Sequence, residues 1–247
     1  MASIDETTPQ DPATATNRRQ EFSTATKRDL VETARRHFTD HGYTATSLDT
    51  IVAGARVTKG ALYHHFTNKQ DLFLAVHEAI ETDAVRRIDA VLGQYGDPWQ
   101  AATHGLQTFL EIAREPEYRR IVVEEGAAVL GSARPPDSER STFSPVRHLV
   151  RATLTSGDWD VPEEMIDTFS RIFFGALNSA GQSLATSAEP EEETIRIETS
   201  VGLLLAAVRH LSTTHESLEA AVLPVLGDQT DDETPAPEGS RDRGRSA

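Results

Sequence analysis

The chain has 247 residues, no cysteine, and 39 Asp and Glu against 24 Lys and Arg, for a formal net charge of −15. Without cysteine, disulfides, thiolate nucleophiles and cysteine-based zinc sites are excluded. The N-terminus has neither the basic nor the apolar region of a signal peptide, and no apolar run approaches the roughly 18 residues of a membrane helix, so a soluble, cytoplasmic protein is expected.

Residues 1–23 are rich in Thr, Ala, Pro, Gln and Asp and are expected to form a disordered arm, with Arg18 and Arg19 in its solvated end. Thr26, with Asp29 three residues on, is expected to cap the first helix. Its core stripe is Leu30, Val31, Ala34 and Phe38, and Gly42 ends it. His37 and His41 have metal-ligand spacing but no third ligand nearby, and are read as surface residues. Thr46 with Asp49 is expected to cap a second helix carrying Leu48, Ile51 and Val52. A break follows at Arg56-Val57, and Thr58 is expected to cap a third helix whose apolar face is Ala61, Leu62 and Phe66. Asn68 with Asp71 makes another cap, for a helix running to about Leu92.

Two short helices joined by a tight turn are a helix-turn-helix. The second of them carries Lys59, Tyr63, His64 and His65, with Gly60 in its first turn. That composition is poor for burial and suited to lying against phosphates and base edges. Thr46, Ser47 and Thr58 stand at helix N-termini, where hydroxyls and free N–H groups face anions. Lys59 suits guanine O6/N7 or a phosphate, Gly60 permits close approach, and the Ala61 methyl suits a thymine methyl. Tyr63 and His65 can donate to phosphates, and three polar aromatic residues in a row, His64 among them, cannot all face inward.

The run Val57-Thr-Lys-Gly-Ala-Leu-Tyr-His-His-Phe66, with Asn68-Lys-Gln-Asp-Leu-Phe73 behind it, resembles the DNA-binding signature of the tetracycline-repressor (TetR) family. The resemblance implies DNA contacts at Thr46, Thr58, Lys59, Gly60, Ala61, Tyr63, His65 and Lys69. One position departs from the family pattern: Arg56 stands where a left-handed glycine is usual. A side chain in that conformation costs about 1–2 kcal/mol, so Arg56 is expected to show an unusual backbone angle or to reach a phosphate. Charge distribution agrees with a DNA-reading head. From Arg18 to Lys69 there are nine Lys and Arg against five acids, a basic footprint on an otherwise acidic chain.

The body is read as further helices: Pro98 to about Arg114, Tyr118–Leu130, Phe143–Thr155, Pro162–Ala185 and Glu192–Leu211, with an exposed loop at residues 131–141. Glu191-Glu192-Glu193 is read as a solvated helix start. The last long helix is apolar over more than one face from Val201 to Val208, which calls for two partners, its own core and a second subunit. By the family resemblance the body holds an effector pocket, for which Trp99, His104, Phe109, Glu124, Phe143, His148, Phe173, Asn178 and Gln182 are candidates. No catalytic triad, phosphate loop or metal cluster is visible, and no cofactor or metal is expected.

The expected fold is all-α: an N-terminal three-helix helix-turn-helix head joined by a long helix to a C-terminal helical ligand-binding and dimerisation bundle. Its expected divisions are a disordered arm at 1–23, the head at 24–70, the body at 71–226 and a disordered tail at 227–247. The expected function is a homodimeric repressor that leaves a palindromic operator on double-stranded DNA when a small-molecule effector binds. Two alternatives stand beside it: a regulator of the same fold that activates or works without a ligand, and an all-helical receptor or enzyme with a vestigial head.

Overall fold

The computed structural model describes residues 12–131, 136–157, 159–214 and 217–220; for residues 12–19 and 136–142 it describes the backbone alone. Every regular element among the described residues is helical. The expected tail at 227–247 and the first eleven residues of the expected arm lie outside the described residues.

Helix α1 runs Pro12–Ala45. Residues 12–23, expected to be disordered, are therefore helical, and Thr26 is not a cap: it lies mid-helix with its hydroxyl donating to the Phe22 carbonyl at 2.9 Å. Once Leu30, Ala34 and Phe38 anchor the helix by full burial, upstream residues add by propagation and avoid the cost of nucleation. At Gly42 the helix breaks, with φ 78° and ψ 168°, a conformation open in practice to glycine alone. Helices α2 (Leu48–Gly54) and α3 (Lys59–His65) follow. Arg56, in the turn between them, has φ 55° and is the one non-glycine residue with positive φ among those described. The left-handed turn expected at this position is present, with an arginine in it.

Helix α4 (Lys69–Leu92) starts at the Asn68 cap, whose Oδ1 accepts the Asp71 N–H at 2.9 Å, while Asp71 accepts the Thr67 N–H at 2.9 Å. Its inner face buries Leu72, Phe73, Val76 and Ile80. They join Leu30, Phe38, Ile51, Leu62 and Phe66 of the head in one core, which also takes in Ile121 and Leu130 of the body.

Asp97 caps α5 (Pro98–Arg114) with proline in its first turn, as its sequence demands. The single helix expected over Tyr118–Leu130 is instead a π-helical segment, Tyr118–Glu124, and a separate short helix α6, Gly126–Leu130. The Glu125 N–H bonds back five residues to the Arg120 carbonyl at 3.0 Å, while the Glu125 side chain accepts the Tyr43 N–H at 2.9 Å. Docking of Glu125 on the head and of Gly126 against His77 sets this register. Helix α7 (Pro136–Leu154) starts seven residues before the expected Phe143, on a proline suited to a first turn, and takes up part of the expected loop. Helices α8 (Glu163–Thr186) and α9 (Pro190–Thr214) are the two long helices expected over Pro162–Ala185 and Glu192–Leu211. Trp159 and Val161, between α7 and α8, are buried with Val150, Leu154 and Ile166.

On α8 and α9 a large apolar face stays uncovered: Ile172 is 66% exposed, Leu203 71% and Leu204 60%. No helix is long and apolar enough to cross a membrane among the described residues.

The two positive-φ sites of the head predict substitutions of opposite sign, read by chemical denaturation. Gly42→Ala should lower the unfolding free energy by about 1–3 kcal/mol. Arg56→Gly should raise it by up to about 1 kcal/mol, relief of the left-handed strain being partly offset by glycine's freedom in the unfolded chain.

Candidate nucleic-acid interface and body cavity

The turn between α2 and α3 presents one exposed surface. Ser47 caps α2, its Oγ accepting the Thr50 N–H at 3.1 Å, and Thr58 caps α3, its Oγ1 accepting the Ala61 N–H at 3.2 Å. Helix α3 buries Leu62 and, at its C-cap, Phe66. This leaves Lys59, Gly60, Tyr63 and His64 exposed, with Tyr63 58% accessible. A Cβ added at Gly60 would meet only the Thr58 hydroxyl, at 3.8 Å, so space above this turn is open. Ser47, Arg56 and Thr58 share the exposure, whereas Ala61 and His65 are half-buried.

Electrostatics here are local. Lys59 Nζ lies 2.7 Å from Asp49 Oδ1, and that hydrogen bond raises the lysine's pKa. The same pair links the start of α2 to the start of α3. Burial, followed by the nearby His64 and Lys27, pushes the His65 pKa below its ordinary value. Lys27 of α1 stands 5.8 Å from the Phe66 ring centroid, placing another cation beside the same surface.

Two expected contacts point elsewhere. Thr46 was expected to cap α2 and meet DNA, but it is 4% exposed and its hydroxyl donates to the Gly42 carbonyl at 2.8 Å. The chain must turn sharply after Gly42, and the hydroxyl satisfies a carbonyl that the break leaves without a helical partner. Lys69 was expected to meet a phosphate. Its ammonium donates to the carbonyls of Tyr43 (2.7 Å) and Thr46 (3.0 Å) and lies 4.2 Å from the Tyr43 ring centroid. It closes the C-terminal end of α1 with two of its three donors. The pairing of Asp49 with Lys59 was missed; a lysine ten residues after an acid, across a turn, carries no periodic signal.

In the body, α4, α5, α6, α7, α8 and the π-helical segment line a partly open cavity of about 250 Å³. Four of the nine candidates line it: Phe109, Phe173, Asn178 and Gln182. Trp99 instead pins α5 to the end of α7, its indole N–H donating to Ser156 Oγ at 3.1 Å. His104 stacks on Tyr95 with centroids 4.3 Å apart, Glu124 pairs with Arg119 at 3.4 Å, and His148 is exposed. Phe143 packs edge-on behind Phe174, which does line the cavity. Glu81 and Tyr118 were missed as lining residues. Glu81 had a legible signal: it falls on the inward period of α4, four residues after His77, where an acid has no reason to be unless something there requires it.

Comparison with known proteins agrees with this geometry. Residues 30–76 match the family model described as bacterial regulatory proteins, tetR family, and residues 99–208 match the tetracyclin repressor-like C-terminal domain. The transposon Tn10 TetC protein of Escherichia coli is 33% identical over 118 residues, 47% of this chain and 58% of that protein. The transcriptional regulator AcuR of Cereibacter sphaeroides is 36% identical over 81 residues, 33% of this chain and 37% of that protein. The matches thus span about half or less of these curated relatives' own lengths. A crystal structure of a TetR-family transcriptional regulator from Pectobacterium atrosepticum aligns over 76% of this chain and 96% of its own, with 31% identity and TM-score 0.67. Another, from Streptomyces coelicolor, aligns over 82% of this chain and 98% of its own at 20% identity and TM-score 0.60, a likeness of fold.

Because Lys69 holds two carbonyls, Lys69→Met should lower stability in the absence of DNA by roughly 1–3 kcal/mol. Thermal melting of the protein alone checks this; an unchanged melting curve would return Lys69 to the surface as a free cation.

Proposed function

This chain belongs to the tetR family of bacterial regulatory proteins, and on that premise we propose that it is a transcriptional repressor released from a palindromic operator by a small-molecule effector. The observation that supports this most is the exposed α3 surface of Lys59, Gly60 and Tyr63, framed by two capped helix starts on the basic end of an acidic chain. The family is one of transcriptional regulators and not of enzymes.

The proposed reader is α3 in the major groove, with Lys59 at the base edges and Tyr63 on a phosphate. Ser47, Thr58 and Arg56 add backbone contacts, His64 and His65 flank them, and Gly60 and the Ala61 methyl allow close approach. The backbone of Thr46 sits at the start of α2 with its hydroxyl engaged, and Lys69 supports this surface from beneath. The functional division follows the proposed bounds, 24–70 for DNA and 71–226 for effector and dimer.

Two copies are proposed to pair through the open apolar face of α8 and α9. Burying Ile172, Leu203 and Leu204 between subunits would recover roughly 1.5–3 kcal/mol per side chain. A two-fold pair places its heads one helical turn of DNA, about 34 Å, apart. The body cavity is the proposed effector site. Its wall includes α4, which also forms the floor of the head, so a ligand that favours one setting of α4 changes head spacing. It can do so only by the difference in its affinity for the two settings.

Footprinting on the DNA flanking its own coding region tests the regulator reading. A protected palindrome is expected, with affinity falling as salt rises. Lys59→Ala should weaken binding by about 1–3 kcal/mol if it reads a base, or lower the salt slope by about one if it meets a phosphate. Binding indifferent to salt, to Lys59→Ala and to Tyr63→Ala would refute it. Leu203→Glu with Leu204→Glu should give a folded monomer by sedimentation, because both side chains are already outside the subunit core.

A further inference from the structure

We propose that the body cavity is built for an organic cation: a compact ligand with an apolar or aromatic frame and an ammonium-type charge, which Glu81 meets. The inference rests on the reading of this cavity as the effector site and adds the chemistry of what enters it.

Three observations carry it. First, the charge of the lining is one-sided. Among the described residues, the cavity wall contains the carboxylate of Glu81 and no Lys, Arg or His. Glu81 is 6% exposed, so its charge is poorly screened by water. Second, the histidine beside it on α4 stands outside the wall. His77 Nδ1 lies 3.3 Å from Glu81 Oε2, and His77 is 1% exposed and outside the lining. Among the described residues no cationic side chain lines the cavity to offset a buried carboxylate or phosphate, whose desolvation is costly. Third, Phe109, Tyr118, Phe173 and Phe174 supply four aromatic rings to one small space. Ring faces attract cations, the more strongly the less water reaches them. An acid together with aromatic walls matches a cation on both counts and an anion on neither.

Size narrows the class. A cavity of about 250 Å³ lies near the lower end of small-molecule sites. It suits a single ring with a short substituted amine.

Placement of Glu81 also connects ligand charge to the head. One turn earlier on α4, His77 abuts α6, where a Cβ added at Gly126 would come within 3.0 Å of His77 Nε2. Leu130 of α6 belongs to the core shared with α1 and α3. A cation drawn to Glu81 thus acts on the residue pair that seats α4 against α6.

The test is calorimetric titration of the full chain, without DNA, using three probes of similar size: benzyltrimethylammonium, the uncharged dimethyl benzyl carbinol and the anion hydrocinnamate. The ammonium should bind at least about tenfold more tightly than the carbinol, and hydrocinnamate weakest. In Glu81→Gln the preference for the ammonium should collapse while carbinol binding persists, which also reports an intact cavity. Phe173→Leu, which removes a ring and keeps the charge, should weaken the ammonium more than the carbinol. Equal or tighter binding of the carbinol or hydrocinnamate, or an undiminished preference in Glu81→Gln, would overturn the cation assignment and leave the effector-site reading in place. If none of the three bound, both would fall.

Discussion

Head and body share one core, and the rest of the structure depends on that continuity. The rings of Phe38 and Tyr43 each meet Phe73 edge to face, and tilt against one another, with centroids 5.2–5.8 Å apart where α1 bends onto α4. Ile121 and Leu130, from the body, are buried in the same cluster. Polar contacts repeat the link: Arg35 pairs with Glu117, Tyr43 N–H donates to Glu125, and Gln70 Nε2 donates to the Val129 carbonyl at 2.6 Å. A head so attached has no free linker to swing on. It moves with α4, the π-helical segment and α6 as a packed unit, because close-packed interiors shift between arrangements and do not stretch.

Within the body, ion pairs orient and apolar burial stabilises. Arg147 reaches both Asp167 (2.6 Å) and Glu163 (3.2 Å), and Arg87 holds Glu115 with two bonds of 2.7 and 2.9 Å. Such partly exposed pairs are worth roughly 0–1 kcal/mol each, so their contribution is mainly to fix which faces of α7 and α8, and of α4 and α5, meet. Helices α4 and α5 come together closely at Gly105, where a Cβ would stand 2.8 Å from Leu92 Cδ2. That approach sets one end of the cavity, and the aromatic side chains of α8 close another part of its wall.

Local rules carried much of this into the sequence. Thr58, Asn68 and Asp97 are caps because their side-chain oxygens are short enough to reach N–H groups two or three residues on, and that chemistry is the same in any fold. Arg56 was legible only through the family resemblance, which marks its position as one where a left-handed glycine is usual. What was hidden depended on tertiary partners. Whether Ser47 or Thr46 caps α2 turns on which carbonyls the break at Gly42 leaves unpaired. The inward turn of Lys69 depends on the end of α1 lying beneath it, and the π-helical register at Tyr118 depends on Glu125 meeting the head. The cavity was half legible. Aromatic residues on apolar stripes were noticed, but five of nine proved to be packed or solvent-facing, because periodicity says which face is inside and not where the inside is empty.

Separation of charge along the molecule has a kinetic consequence. Helix α4 is about 36 Å long by helix geometry and holds the acidic bulk of the body away from the basic end. At 0.1 M salt the screening length is about 10 Å, so DNA near the head senses the head alone; at 0.01 M it is about 30 Å, and the whole charge of −15 is felt. Dilute salt therefore sets long-range repulsion against short-range attraction. For the proposed binding to DNA, this separation makes encounter fastest at an intermediate ionic strength, where the body is already screened and the head is not.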